Sequence, residues 1–257
     1  MTEPTGTASE HTSAVDRAIT QIQENADKMV EDFNKLVDRW NDNRWWLIVG
    51  GLGGGIAAWM ISDWLEDIKN ALNKMLDIVR PVLAHHTPVI SLINISFHWL
   101  DAVKKPVSNM SPTVQKYATE NLAYWEGGTA SHYKEQVVPP QMGATDALAA
   151  KAGFISEWLY GIAQSNVDYV TELATVIGTI AGEVTTALIE AATVIDIPWA
   201  IQNLAQAAGH LVETAVNNLT SIAQRIVQAG GNARAAVSDK VDESKFPGGA
   251  WPQAVKG

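Results

Sequence analysis

Apolar residues recur along this chain at alternating spacings of four and three. The first run is Val15, Ile19, Ile22, Ala26, Met29, Phe33, Leu36 and Trp40, with polar residues between them. Such a heptad seam predicts a helix with one apolar stripe. Drawn from about Thr12 to Asn43, it would be about 48 Å long at about 1.5 Å per residue. The stripe needs a partner, either another helix of the same chain or a coiled coil with a second chain. Later helices offer matching faces, which favours the first. A second seam, Leu65, Ile68, Leu72, Met75 and Val79, predicts a helix over Asp63 to Arg80. The longest pattern starts at Thr145 and runs through Leu148, Ala152, Leu159, Val170, Ile177 and Val184 to Ile195.

Prolines and glycines punctuate these patterns. Pro81 and Pro88 predict a kink or a short connection around His85 and His86. Val89 to Val103 reads as a helix ended by Lys104-Lys105-Pro106. Ser111-Pro112 reads as the start of another, with Ser111 as its cap. Pro139-Pro140 predicts an early break in the arm that follows, and Ile197-Pro198-Trp199 a corner. A last helix is expected from Ala200 to about Val227, stopped by Gly230-Gly231. The fold class expected is all-α, an elongated bundle of long antiparallel helices. Four regions are expected: a disordered start (1–12), a helical region (13–110), a helical hairpin region (111–229) and a flexible tail (230–257).

The stretch Trp45 to Ser62 interrupts the amphipathic pattern. Its eighteen residues carry no charge, with Arg44 before them and Asp63 after. That is the short end of a membrane-spanning length. Trp45, Trp46 and Trp59 stand near its ends, as interfacial anchors do. Gly50 with Gly54, and Gly51 with Gly55, form two overlapping pairs of small residues that let membrane helices approach. Two readings stay open: a membrane-active segment, or a buried glycine-rich connection capping a soluble bundle.

Composition narrows the function. The net charge is −10, which argues against nucleic acid as a partner. There is no cysteine, so disulfides, thiol catalysis and thiolate metal sites are excluded. Residues 1–30 are polar and show no secretory leader, so any export is expected by a leaderless route. Six histidines are scattered at 11, 85, 86, 98, 132 and 210. No metal, cofactor or catalytic pattern joins them to carboxylates or to a nucleophile, and a non-enzymatic role is expected. From Ala152 to Gln224 there is no Lys or Arg, but there are seven acids, among them Asp168, Glu183, Glu190, Asp196 and Glu213. Sparse acids on a helix read as its solvent face; protonated, they would also permit membrane insertion.

The centre of the hairpin region is Trp125-Glu126-Gly127, followed by Thr129-Ala130-Ser131 and then Tyr133. Gly127 and Gly128 can take the positive φ of a helix corner, with Trp125 and Tyr133 meeting on one side of it. These residues resemble the turn of the WXG superfamily, helical hairpins exported by type VII (ESX) secretion systems of actinobacteria and firmicutes. Trp99 matches the upstream Trp of longer actinobacterial members. The resemblance covers Ser91 to Asp196, and more weakly the chain to Val227. It implies a secreted or envelope protein that acts through the secretion machinery, a helical partner, a second copy of itself or membrane lipid. The family's Tyr-x-x-x-Asp/Glu export signal is missing, since Tyr169 meets Glu172 one residue early. The other reading is a membrane-inserting, pore-forming or envelope-anchored helical protein that uses residues 45–62.

Overall fold

The structure is a computed structural model that describes residues 6–49, 54–115, 124–238, 245–246 and 250–252, with backbone alone at 54–57, 111, 114–115 and 229–238. It is all-α: 91% of it is helix, with no strand among the described residues. The helices are α1 (Ala8–Val49), α2 (Gly54–Ala84), α3 (Thr87–His98), α4 (Lys105–Gln115), α5 (Gly128–His132), α6 (Val138–Glu190) and α7 (Ile197–Ser238).

Several boundaries differ from those the sequence predicts. α1 begins at Ala8, inside the stretch read as disordered, because Thr7 and Glu10 cap it reciprocally. The Thr7 amide donates to Glu10 Oε2 at 2.8 Å and the Glu10 amide to Thr7 Oγ1 at 3.2 Å. Pro106 does not end a helix. A widened π-helical stretch, Trp99–Lys104, joins α3 to α4, and the Lys105 amide bonds back five residues to the Leu100 carbonyl. Nor does Pro139-Pro140 break the chain. A second π-helical stretch, Tyr133–Val137, joins α5 to α6, and the Val138 amide bonds to the Tyr133 carbonyl. Both widened turns lie just before proline, where a ring must fit and a donor is missing. α4 runs through Ser111 and Pro112 instead of opening there. α7 runs through Gly230-Gly231 to Ser238, so those glycines do not stop it; glycine weakens a helix by about 1 kcal/mol without forbidding it. Only His85 and His86 separate α2 from α3. Their Nδ1 atoms lie 3.0 Å from the Pro81 and Leu83 carbonyls at the end of α2.

The chain divides into two compact units, and the division is not linear. One comprises Thr12–Pro88 and Ser165–Arg225; the other comprises Met1–His11, Val89–Gln164 and Ile226–Gly257. The 13–110 and 111–229 regions are therefore not the units of packing. Long helices pass from one unit to the other, as α6 does near Gln164.

In the 12–88/165–225 unit, four helical segments share one hydrophobic core. Both predicted seams lie in it: Ile22, Met29, Leu36 and Trp40 of α1, and Ile68, Leu72, Met75 and Val79 of α2. Leu173, Ile177, Ile180 and Val184 of α6 and Ile201, Leu204, Ala208 and Val212 of α7 complete it. The α1 stripe is thus covered by its own chain. α1 and α6 meet in rising register. A Cβ built on Gly178 would stand 3.3 Å from Asn25 Nδ2. Further along, Asp32 meets Thr185, and Arg39 Nη1 donates to the Leu188 carbonyl at 2.5 Å. Of the seven acids of the Lys- and Arg-free stretch, Asp168, Glu183, Glu190, Asp196 and Glu213 are exposed, and Glu157 and Glu172 are half-buried.

Asp32 is the one charged residue among the buried side chains described. The Thr185 hydroxyl donates to its Oδ2 at 2.7 Å, Lys28 Nζ stands 3.0 Å from the same oxygen, and Lys35 Nζ lies 3.5 Å from Oδ1. Burial pushes this carboxyl up, but the Thr185 hydrogen bond and the two lysines outweigh it and hold it below its ordinary value. A carboxyl lowered by folding contributes in full above about pH 4 and loses its contribution as pH falls through the folded value. Asp32→Ala is expected to cost roughly 1–3 kcal/mol at pH 7, and the gap from wild type to close in acid. Urea melts at the two pH values check this; equal stability at pH 7 would mean that the network adds nothing.

In the other unit, α3 and α6 are joined by a buried polar link. Ser156 Oγ donates to the Ser96 carbonyl at 2.8 Å, and Ser96 Oγ to the Ile93 carbonyl at 2.7 Å. Beside it, the rings of His11, Phe97 and Tyr160 pack together with centroids 5.4–6.0 Å apart. Of the segment read as a flexible tail, two described residues make contacts in this unit. Phe246 is buried, and Gln141 Nε2 donates to the Pro252 carbonyl at 3.2 Å.

Candidate functional site

The apolar stretch 45–62 is split between two helices. Trp45 to Val49 is the end of α1, and Gly54 to Ser62 the start of α2. Gly50 and Gly51 lie outside the described residues, while Gly54 and Gly55 are the first residues of α2. The two arms lie side by side, since Leu47 and Ile48 line one cavity with Met60 and Ile61. The stretch is therefore not one continuous helix.

The corner between α6 and α7 reaches the same cavity through Ile195, Pro198 and Trp199. The corner is tight for local reasons. The Ala192 amide donates to the Ile189 carbonyl at 3.0 Å and the Asp196 amide to the Thr193 carbonyl at 3.2 Å. Pro198 falls in the first turn of α7, where its missing donor costs little.

Apolar side chains crowd this end without being covered. Trp45 is 70% exposed, Trp46 71%, Trp59 66% and Trp199 65%. These are four of the ten tryptophans; Trp40, which belongs to the core, is 3% exposed. Val49, Ile189 and Ile195 are exposed as well. An indole in water wastes a large apolar area, and its N–H suits a boundary between apolar and wet surroundings. The charges nearest in sequence are Arg44, Asp63, Glu190 and Asp196, an acidic rim overall. The uncharged stretch in the sequence pointed to Trp45, Trp46 and Trp59. It gave no sign that Trp199 lines a cavity with Leu47, Ile48 and Ile61 of the same two arms.

The Trp125 corner lies in the other unit. Gly127 has φ 104°, a conformation that L side chains rarely adopt, and Gly128 already begins α5. The Trp125 and Tyr133 rings stand 5.7 Å apart, and Lys134 Nζ donates to the Trp125 carbonyl at 2.9 Å. The helix expected to lead into the corner, through Tyr117, Ala118 and Leu122, falls largely outside the described residues.

Among the described residues, no three His, Cys, Asp or Glu side chains gather as a metal ion would need. One helical run among them, Gly128–Glu190, is long and apolar enough to cross a membrane, and nearly half of its most apolar window is buried in the protein. The class this defines is an all-helical protein with an uncovered tryptophan-rich end. The chain matches no protein-family model, no curated protein and no solved structure.

Proposed function

We propose that the protein works without catalysis, by docking its tryptophan-rich end on a lipid membrane. The observation that carries this is the exposure of Trp45, Trp46 and Trp59 on the two helical arms whose Leu47, Ile48, Ala58, Met60 and Ile61 line one cavity with the equally exposed Trp199. Indoles partition to the interface of a bilayer, where the ring is apolar and the N–H wet. The rim is acidic, so the attraction is to the apolar boundary and not to anionic headgroups. Flotation with neutral phosphatidylcholine vesicles tests it. The chain is expected to float with them, and to do so equally in low and high salt. A chain left at the bottom of the gradient at every lipid concentration would end this reading.

A second reading rests on the other unit. The ring pair of Trp125 and Tyr133 beside a positive-φ Gly127 supports a WXG-like corner. We propose on that ground that the chain is exported by, or works with, a type VII (ESX) system, reaching the envelope or the medium without a leader. Export of the tagged chain from a host carrying such a system is expected, and its loss in Trp125→Ala. Equal export of both chains would show that the corner is not recognised.

A further inference from the structure

The cavity at the tryptophan-rich end holds about 230 Å³. Trp40 and Leu47 of α1, Ile61 and Trp64 of α2, and Trp199 and Gln202 of α7 form much of its wall. Among the described residues no charged side chain lines it, and apart from the indole N–H groups the polar side chain there is that of Gln202. A charged group placed inside would have no counter-charge, so the cavity selects hydrocarbon. Its size exceeds the roughly 150 Å³ of an apolar cavity that stays dry and admits benzene, yet falls short of the roughly 300 Å³ where drug-sized sites begin. A slim hydrocarbon chain fits.

We propose that this cavity takes one acyl chain of a lipid. The exposed lining residues Met60, Ile195 and Trp199 mark its mouth, so a tail would enter there with its headgroup left outside. This rests on the membrane-docking reading and adds a defined site to it. Two separated parts of the sequence make the site together, Leu47 and Ile48 with Ala58, Met60 and Ile61 on one side and Ile195 to Gln202 on the other.

The experiment uses the full chain and monomeric dodecanoate below its micelle concentration, with bound ligand counted by native mass spectrometry and affinity measured by equilibrium dialysis. Ala58 lines the cavity, so Ala58→Phe fills it. One dodecanoate per chain is expected, and affinity is expected to fall by more than about tenfold in Ala58→Phe. That variant should keep its helical circular dichroism and still float with phosphatidylcholine vesicles. Should Ala58→Phe lose its helical signal, Met60→Trp closes the cavity from its mouth and the same comparison is made. Binding that neither variant changes would place the tail on the outer surface and overturn the proposal. So would an absence of dodecanoate binding in a chain that floats, which leaves docking intact. Failure of both measurements would end the docking reading as well. A reversible dimer that Ala58→Phe dissolves would give the cavity to a side chain of a second copy.

Discussion

Ile22→Asp abolishes the helical fold of the 12–88/165–225 unit. Ile22 is fully buried, in a core shared by α1, α2, α6 and α7. Deleting a buried isoleucine's methyl groups costs about 2–5 kcal/mol. The new carboxylate adds several more, since it would be buried in a hydrophobic core. The sum, above about 5 kcal/mol, matches or exceeds the total stability of many domains, about 5–15 kcal/mol. Circular dichroism at 25 °C should show lost helix or a melting point lowered by tens of degrees. Ile22→Val, costing about 0.5–1.5 kcal/mol, should melt near wild type. A variant that kept its helix content and only became smaller in sedimentation would place the α1 seam between copies, against the core described above.

Replacing Trp45, Trp46, Trp59 and Trp199 together by Ser has the opposite profile: folding is spared and membrane binding is lost. All four are about two-thirds exposed, so their removal opens no cavity in the core. A large aromatic carries about 150–250 Å² of surface. Even partial withdrawal of that area from water yields about 1 kcal/mol per ring at about 25 cal/mol/Å². Four rings then amount to about 4 kcal/mol, close to a thousandfold in vesicle affinity. Flotation against lipid concentration measures it, with thermal melts as the folding control. Wild type and variant that float alike would remove these indoles from any membrane role. The acidic rim adds a sign: anionic vesicles should bind no better than neutral ones, and less well at low salt, where repulsion is least screened.

Much of the fold was legible because helical amphipathicity is local. The seams Val15 to Trp40 and Leu65 to Val79 were read from spacing alone, and in both nearly every position is buried. The corner at Ile197-Pro198 was also legible, since proline tolerates the first turn of a helix and little else of it. Where the reading erred, a neighbouring turn had altered the local rule. Pro106 and Pro139-Pro140 look like helix ends, yet each follows a widened turn that removes the need for its missing donor. Gly230-Gly231 looked like a stop, but glycine costs a helix little enough to be carried. The cap made by Thr7 and Glu10 was present in the sequence as Thr-x-x-Glu, and marks a helix start in what reads as a polar tail.

The sequence by itself determined that the chain is helical, which face of α1 and α2 is apolar, and that residues 45–62 depart from that pattern. These are consequences of side-chain type and a period of 3.6 residues, which neighbours in sequence carry. Only the tertiary structure decided which helices share a core, that Asp32 is buried against Thr185, and that Trp199 lines one cavity with Leu47 and Ile61. Those pairs lie more than a hundred residues apart. No local pattern encodes such a meeting, because it depends on how whole helices cover one another's apolar faces, and that choice is made by the packing of the entire unit.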